Sequence, residues 1–135
     1  MANYLIIGAS SGIGQAIALQ LAEAGHQVFG SFNKKEIHPE HPSLKYFRLN
    51  VLDEGFSLDF LPETINGLVY SPGSIHLRSF ERIKPTDFID DFQLQVIGAI
   101  KILQAVLPKI KKSEHASIVL FSTVAVQTGL PFHTL

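Results

Sequence analysis

The stretch Tyr4-Leu5-Ile6-Ile7-Gly8-Ala9-Ser10-Ser11-Gly12-Ile13-Gly14-Gln15-Ala16-Ile17-Ala18-Leu19-Gln20-Leu21-Ala22-Glu23-Ala24 decides the fold. Its opening apolar run reads as a buried strand from Tyr4 to Gly8. Its end reads as a helix from Gly12 to Ala24, with Gly25 placed where a C′ glycine stops a helix. Ile13, Ile17 and Leu21 recur every four residues and are expected to line the face turned to the sheet. The glycine-rich turn between the two elements is a site for a phosphate or pyrophosphate. Backbone N–H groups point outward there, the helix dipole favours negative charge, and missing side chains allow close approach.

Working outward, His26 to Phe32 reads as a second strand and Leu44 to Val51 as a third. Between them Asn33 to Ser43, with two prolines, reads as a loop. Leu52 to Glu63 is ambiguous, with a short helix as one reading. Ile65 to Tyr70 reads as strand four, followed by a turn at Ser71-Pro72-Gly73-Ser74. A long helix is expected from Pro85 to Lys111. Pro85 suits its first turn, Asp87, Asp90 and Asp91 lie near its positive end, and Pro108 is a point for a bend. Phe88, Phe92, Val96, Ala99, Leu103, Val106 and Ile110 make one apolar face. Ile89, Leu94, Ile97, Ile100 and Ile102 widen it, so the helix is expected to be covered on two sides, by its sheet and by a third layer or a partner subunit. Ala116 to Phe121 reads as strand five and Ser122 to Leu135 as a mobile tail.

Strands alternating with helices imply right-handed crossovers and a doubly wound parallel sheet in the order 3-2-1-4-5. Ligands of such sheets bind beyond the carboxyl ends of the strands, at the switch between strands 1 and 4. The glycine turn, Tyr70 to Gly73 and Ser122-Thr123 all fall on that edge.

The bulk numbers agree with a folded α/β chain. Its 135 residues read as one domain, 46% are hydrophobic and 17% charged, and a net charge of −1 with no basic block argues against nucleic acid or an anionic membrane as partner. No apolar run approaches the roughly 18 residues of a membrane span. With no cysteine there is neither a disulfide framework nor a thiolate metal site. These features predict a soluble, cytoplasmic protein. His38-Pro39-Glu40-His41 offers too few ligands for a metal site.

The glycine spacing is G-x-x-x-G-x-G, and no Lys-Ser/Thr pair follows Gly12 as a P-loop requires. Here the sequence resembles the short-chain dehydrogenase/reductase family, whose signature is T-G-x-x-x-G-I-G. Ile7 replaces the threonine and the rest matches through Gly14. The resemblance extends in element order over essentially the whole chain. It implies a Rossmann-like fold, NAD(P)(H) as cofactor, and a carbonyl or alcohol as substrate. It assigns the cofactor to Gly8, Ser10, Ser11, Gly12, Ile13 and Gly14, to Asn33 and Lys34, to Asn50 and Val51, and to Ser71, Pro72 and Gly73. At the end of strand 2 an acidic residue would hold the adenosine ribose and repel a 2′-phosphate. Ser31-Phe32-Asn33-Lys34-Lys35 offers no acid and two lysines, which favours NADP(H) over NAD(H). Asn50-Val51 stands for the family's Asp-Val pair beside adenine. Tyr70-Ser71-Pro72-Gly73 replaces Asn-Asn-Ala-Gly, so the hydrogen bonding there must differ.

Gln95 falls near the apolar face of the long helix, where a buried amide needs partners. The family has an asparagine there that supports a proton-relay water. Thr123, or Ser122 with a slip of one residue, stands for the family's substrate-binding serine, whose hydroxyl donates to a developing alkoxide. The family's general acid is the tyrosine of Tyr-x-x-x-Lys, expected in the helix that follows and beyond Leu135. None of Tyr4, Tyr46 and Tyr70 has a lysine four residues on, and His133 is a substitute acid to consider. The sequence therefore reads as the incomplete front portion of an oxidoreductase, with a non-catalytic nucleotide-binding or interaction module as the alternative. A homo-oligomer through Pro85 to Lys111 is expected, because an apolar helix face and an open sheet edge are prone to associate.

Overall fold

The computed structural model describes residues 1–34, 39–73 and 77–135. One sheet holds β1 (Asn3–Ile7), β2 (Gln27–Phe32), β3 (Leu44–Arg48), β4 (Gly67–Tyr70) and β5 (Ser117–Leu120). The strands lie in the order β3-β2-β1-β4-β5, and every neighbouring pair is parallel. This is the order that the alternation predicts. The winding reverses at the crevice between β1 and β4, the place where doubly wound sheets take their ligands.

The apolar run in β1 is continuous because helices cover both faces of the sheet. Leu5 and Ile7 pack with Leu68, Tyr70, Ile102 and Val106 on one side. Ile6, between them, packs with Ala18, Ala22, Val28 and Val69 on the other. That division follows from the two-residue period of a strand.

On the second face lies α1 (Gly12–Glu23), whose buried residues are Gly14, Ala18 and Ala22. The expected stripe is therefore off by one position. Ile13 is 62% exposed, while Ile17 and Leu21 are partly buried at the flank. The helix approaches the turn before it so closely that a Cβ on Gly14 would overlap the Gly8 carbonyl oxygen. Small residues must occupy the line of closest approach, and the larger ones move aside. Gly25 ends the helix as expected, at φ +92°.

The opposite face carries the long helix, in three successive parts. These are α2 (Pro85–Phe92), a π-helical turn (Gln93–Ile97) and α3 (Gly98–Ile110), with Pro108 in the last turn of α3. Its buried line is Gly98, Ala99, Ile102, Val106 and Ile110. That line joins members of both expected faces, and Ile89, Phe92, Val96, Ile100 and Leu107 are exposed.

Residues 52–63 form turns and bends, not a helix. Leu58 and Leu61 anchor the segment in the core, and two lysines of α3 hold its backbone. Lys101 Nζ donates to the carbonyls of Val51 (2.8 Å) and Asp53 (2.5 Å), above the Phe56 ring. Lys109 Nζ donates to those of Leu61 and Pro62, each at 3.2 Å. The end of the chain also departs from the expectation of a mobile tail. It forms α4 (Ala125–Thr128) and a bridge between Arg78 and His133, where Arg78 N–H donates to the Phe132 carbonyl at 3.2 Å.

Candidate cofactor-binding site

The turn after β1 is held from two neighbouring strands. Gly8 has φ +86°, a left-handed conformation that favours glycine, and an added Cβ would lie 2.9 Å from Pro72 N and 3.0 Å from Ser71 Oγ. From β2, the buried Ser31 accepts the Gly8 N–H on its Oγ at 2.9 Å and the Ala9 N–H on its carbonyl at 2.8 Å. From the end of β4, Ser71 donates its N–H to the Ile7 carbonyl at 2.9 Å. The Ser71 hydroxyl points at the same oxygen at 2.8 Å and at the Gly8 carbonyl at 3.1 Å.

The face of the turn directed away from the sheet is open. An added Cβ on Gly12 would meet nothing within 4 Å. Ser11, the N-cap of α1, is extended and makes no side-chain cap, and no acidic residue stands in the first turn. The orphan N–H groups of this helix start are left for an anion. A pyrophosphate fits this cradle in charge and in room. Gln15 Nε2 steadies the rim by donating to the Ser10 carbonyl at 3.2 Å.

Two cavities extend from the cradle and share Ser11, Ser71, Pro72 and Gly73. One, of about 370 Å³, runs from Gly8 and Ser10 towards Phe32, Asn33, Lys34, Asn50 and Val51. Among the described residues that line it, Lys34 is the one charged side chain. Asn50 Oδ1 accepts the Leu52 N–H at 3.0 Å, which sets the turn of the Asn50-Val51 loop. The second cavity, of about 630 Å³, runs over Gly12, Ile13 and Gly14 to Gln95 and Ser122. All the residues assigned to the cofactor by resemblance therefore lie along one elongated cleft.

The candidate catalytic residues Gln95, Ser122 and Thr123 meet at an outer cavity, and they differ in how far they reach inward. Ser122 lines both this second cavity and an outer one, whereas Thr123 lines the outer one alone. Thr123 Oγ1 accepts the Ala125 N–H at 3.2 Å, so it serves the start of α4. Gln95 is exposed and stands between the two cavities beside Gly73. This corrects the expectation of a buried amide, because the π-helical turn carries position 95 out of the buried line. His133 lines the outer cavity and its Nδ1 bonds the Pro131 carbonyl at 2.7 Å. Tyr70 also lines the second cavity, but its hydroxyl is engaged, donating to the Leu94 carbonyl at 2.6 Å, and burial pushes its pKa up to about 12. A phenol so placed is a poor acid at neutral pH.

Of the His-Pro-Glu-His stretch, His38 lies outside the described residues, and His41 Nδ1 accepts the Ser43 N–H at 3.1 Å. Among the described residues, no three His, Cys, Asp or Glu side chains converge as a metal site, and no helix is long and apolar enough to cross a membrane. Sequence reasoning passed over Ser31, Tyr70 and Lys101 as parts of the site's frame. A serine within the stretch Val28-Phe29-Gly30-Ser31-Phe32 is the signal the sequence offers for Ser31. The lysine and tyrosine act over 50 and 24 residues of separation and leave no local pattern.

A parallel sheet with its switch at β1 and β4, and a glycine cradle opening into a helix there, define a Rossmann-type dinucleotide-binding unit. The profile of the family described as short chain dehydrogenase matches residues 2–135, and the chain belongs to that family. It is 28% identical over 144 residues to a 3-oxoacyl-(acyl-carrier-protein) reductase of Staphylococcus aureus strain Mu50, covering 96% of this chain and 58% of the relative. It is 26% identical to the 2,3-dihydro-2,3-dihydroxybenzoate dehydrogenase of Escherichia coli K12, covering 93% and 52%. The chain thus spans little more than half the length of these curated relatives. Among solved structures, a short chain dehydrogenase from Shigella flexneri superposes with a TM-score of 0.82 at 21% identity, over 98% of this chain and 59% of the other. Serine dehydrogenase from Escherichia coli gives 0.79 at 22%, over 96% and 64%. The structural likeness establishes the shared fold.

Proposed function

We propose that this chain binds NADP(H) along the cleft and forms the cofactor-binding portion of an oxidoreductase that interconverts a carbonyl and an alcohol. The observation that carries this reading is the open, uncapped glycine cradle at the start of α1, continuous with a cavity on each side. The pyrophosphate lies on the N–H groups at Gly12 to Gly14, and the adenosine half reaches Phe32, Asn33, Lys34, Asn50 and Val51. Lys34 favours a 2′-phosphate, since no carboxylate among the described residues lines that cavity. When bound, the cofactor supplies or accepts the hydride. Ser122, at the junction with the outer cavity, holds the substrate oxygen by donating its hydroxyl; Thr123 is the alternative donor. Given the name of the Staphylococcus aureus relative, a 3-oxoacyl thioester is the first substrate to test.

Titration with NADPH and NADH tests the reading. NADPH is expected to bind more tightly, and Lys34→Glu to lower its affinity about tenfold while leaving NADH close to unchanged. Failure of both nucleotides to bind at millimolar levels overturns it. The second reading, a nucleotide-binding module without catalysis, is favoured by the capping role of the Thr123 hydroxyl and the buried Tyr70. NADPH binding without consumption across ketones and 3-oxoacyl thioesters supports that second reading. We also propose that copies associate through the exposed apolar face of the long helix, at Ile89, Phe92, Ile100 and Leu107. A stable monomer in sedimentation at micromolar concentration contradicts this.

A further inference from the structure

We propose that Tyr70 is a positioning residue, whose hydroxyl holds the π-helical turn of the long helix in place and so keeps the Gln95 amide against the nicotinamide half of the bound nucleotide. This rests on the reading that the cleft takes NADP(H). Tyr70 and Ser71 are consecutive at the end of β4, and strand geometry sends their side chains to opposite faces. Ser71 ties the phosphate cradle on one face. Tyr70 is buried in the core of the other, and its hydroxyl donates to the Leu94 carbonyl at 2.6 Å.

That carbonyl belongs to the π-helical turn (Gln93–Ile97). In an α-helix the Leu94 carbonyl would take the Gly98 N–H four residues on. Here the Gly98 N–H reaches back five residues to the Gln93 carbonyl, and the Leu94 carbonyl takes the phenol. The fit extends to Gly98, where a Cβ would overlap the Tyr70 hydroxyl. Closing the wide turn to α-helical register would rotate the residues before it by about 100° relative to those after. Gln95 would then leave the cleft. As it stands, the Gln95 amide lies beside Gly73, with Nε2 3.2 Å from where a Gly73 Cβ would be. It faces the cavity that runs from Gly12 to Ser122. An amide offers both a donor and an acceptor, the pair that a ribose diol and a carboxamide each require.

The test compares NADPH with 2′,5′-ADP, which carries the adenosine half alone, on the full chain and on Tyr70→Phe. The variant is expected to weaken NADPH about fivefold and to leave 2′,5′-ADP unchanged. Its amides from 94 to 99 are expected to exchange hydrogen faster, with those of β1 unchanged. Gln95→Ala, a substitution at an exposed position that spares the core, is expected to give the same selective loss. Equal affinities for NADPH in Tyr70→Phe and the parent chain, or an equal loss for both ligands, overturn the proposal. If neither ligand binds the parent chain, it is the nucleotide reading of the cleft that fails.

Discussion

β1 and β5 are both short, apolar, parallel strands, yet Leu5, Ile6 and Ile7 are at most 1% exposed while Ile118, Val119 and Leu120 are 44%, 40% and 56% exposed. Composition does not separate them; their neighbours do. β1 has a strand on each side and a helix over each face, whereas β5 pairs with β4 alone among the described residues. The cleft lies between these extremes. Its phosphate cradle is built from the sealed strand and its outer rim, with Ser122 and Thr123, follows the bare one. The glycine turn is therefore firmly specified by its own neighbours, whereas Ser122 and Thr123 follow a strand that is exposed among the described residues.

Substitutions in the two strands and in the cradle test that contrast. The largest expected effect is at the sealed strand, where Leu5→Ala should cost about 2–5 kcal/mol in urea unfolding. Ile118→Ala in β5 should cost under about 1 kcal/mol, and equal losses would break the comparison. Next, Gly14→Ala forces α1 away from the turn it packs on, at about 1–3 kcal/mol. NADPH affinity should fall with it, read in the same titration. Ser71→Ala removes the hydroxyl that ties the cradle to β4 and should cost about 1 kcal/mol, with NADPH weakened less than in Gly14→Ala. A last effect is in pH. The Tyr70 phenol is raised from 10.0 to about 12, so its contribution is complete below pH 10 and is lost as pH rises through about 12. Denaturation midpoints of the parent chain should decline across that window, and Tyr70→Phe should flatten the decline.

The strand order and the cradle were legible because they depend on local patterns: an apolar run, a glycine turn and a helix in unbroken succession. The buried face of α1 differs by one residue from the hydrophobic stripe for a physical reason. Hydrophobicity picks out Ile13, Ile17 and Leu21, but close approach to the Gly8 carbonyl selects Gly14, Ala18 and Ala22. The span 52–63 stayed ambiguous because lysines far along the chain, Lys101 and Lys109, take its carbonyls. The π-helical turn had no sequence signature, since Tyr70 meets Leu94 only once β4 and the long helix are packed. The register favours Thr123 over Ser122, but the start of α4 claims the Thr123 hydroxyl and Ser122 alone of the two reaches the second cavity.

Amide chemical shifts recorded while NADPH is added report directly on whether the glycine turn holds the nucleotide. The largest shifts are expected at Gly8 to Gly14, followed by Lys34, Asn50 and Gln95. Saturable binding that leaves the Gly8 to Gly14 amides unmoved would contradict that placement.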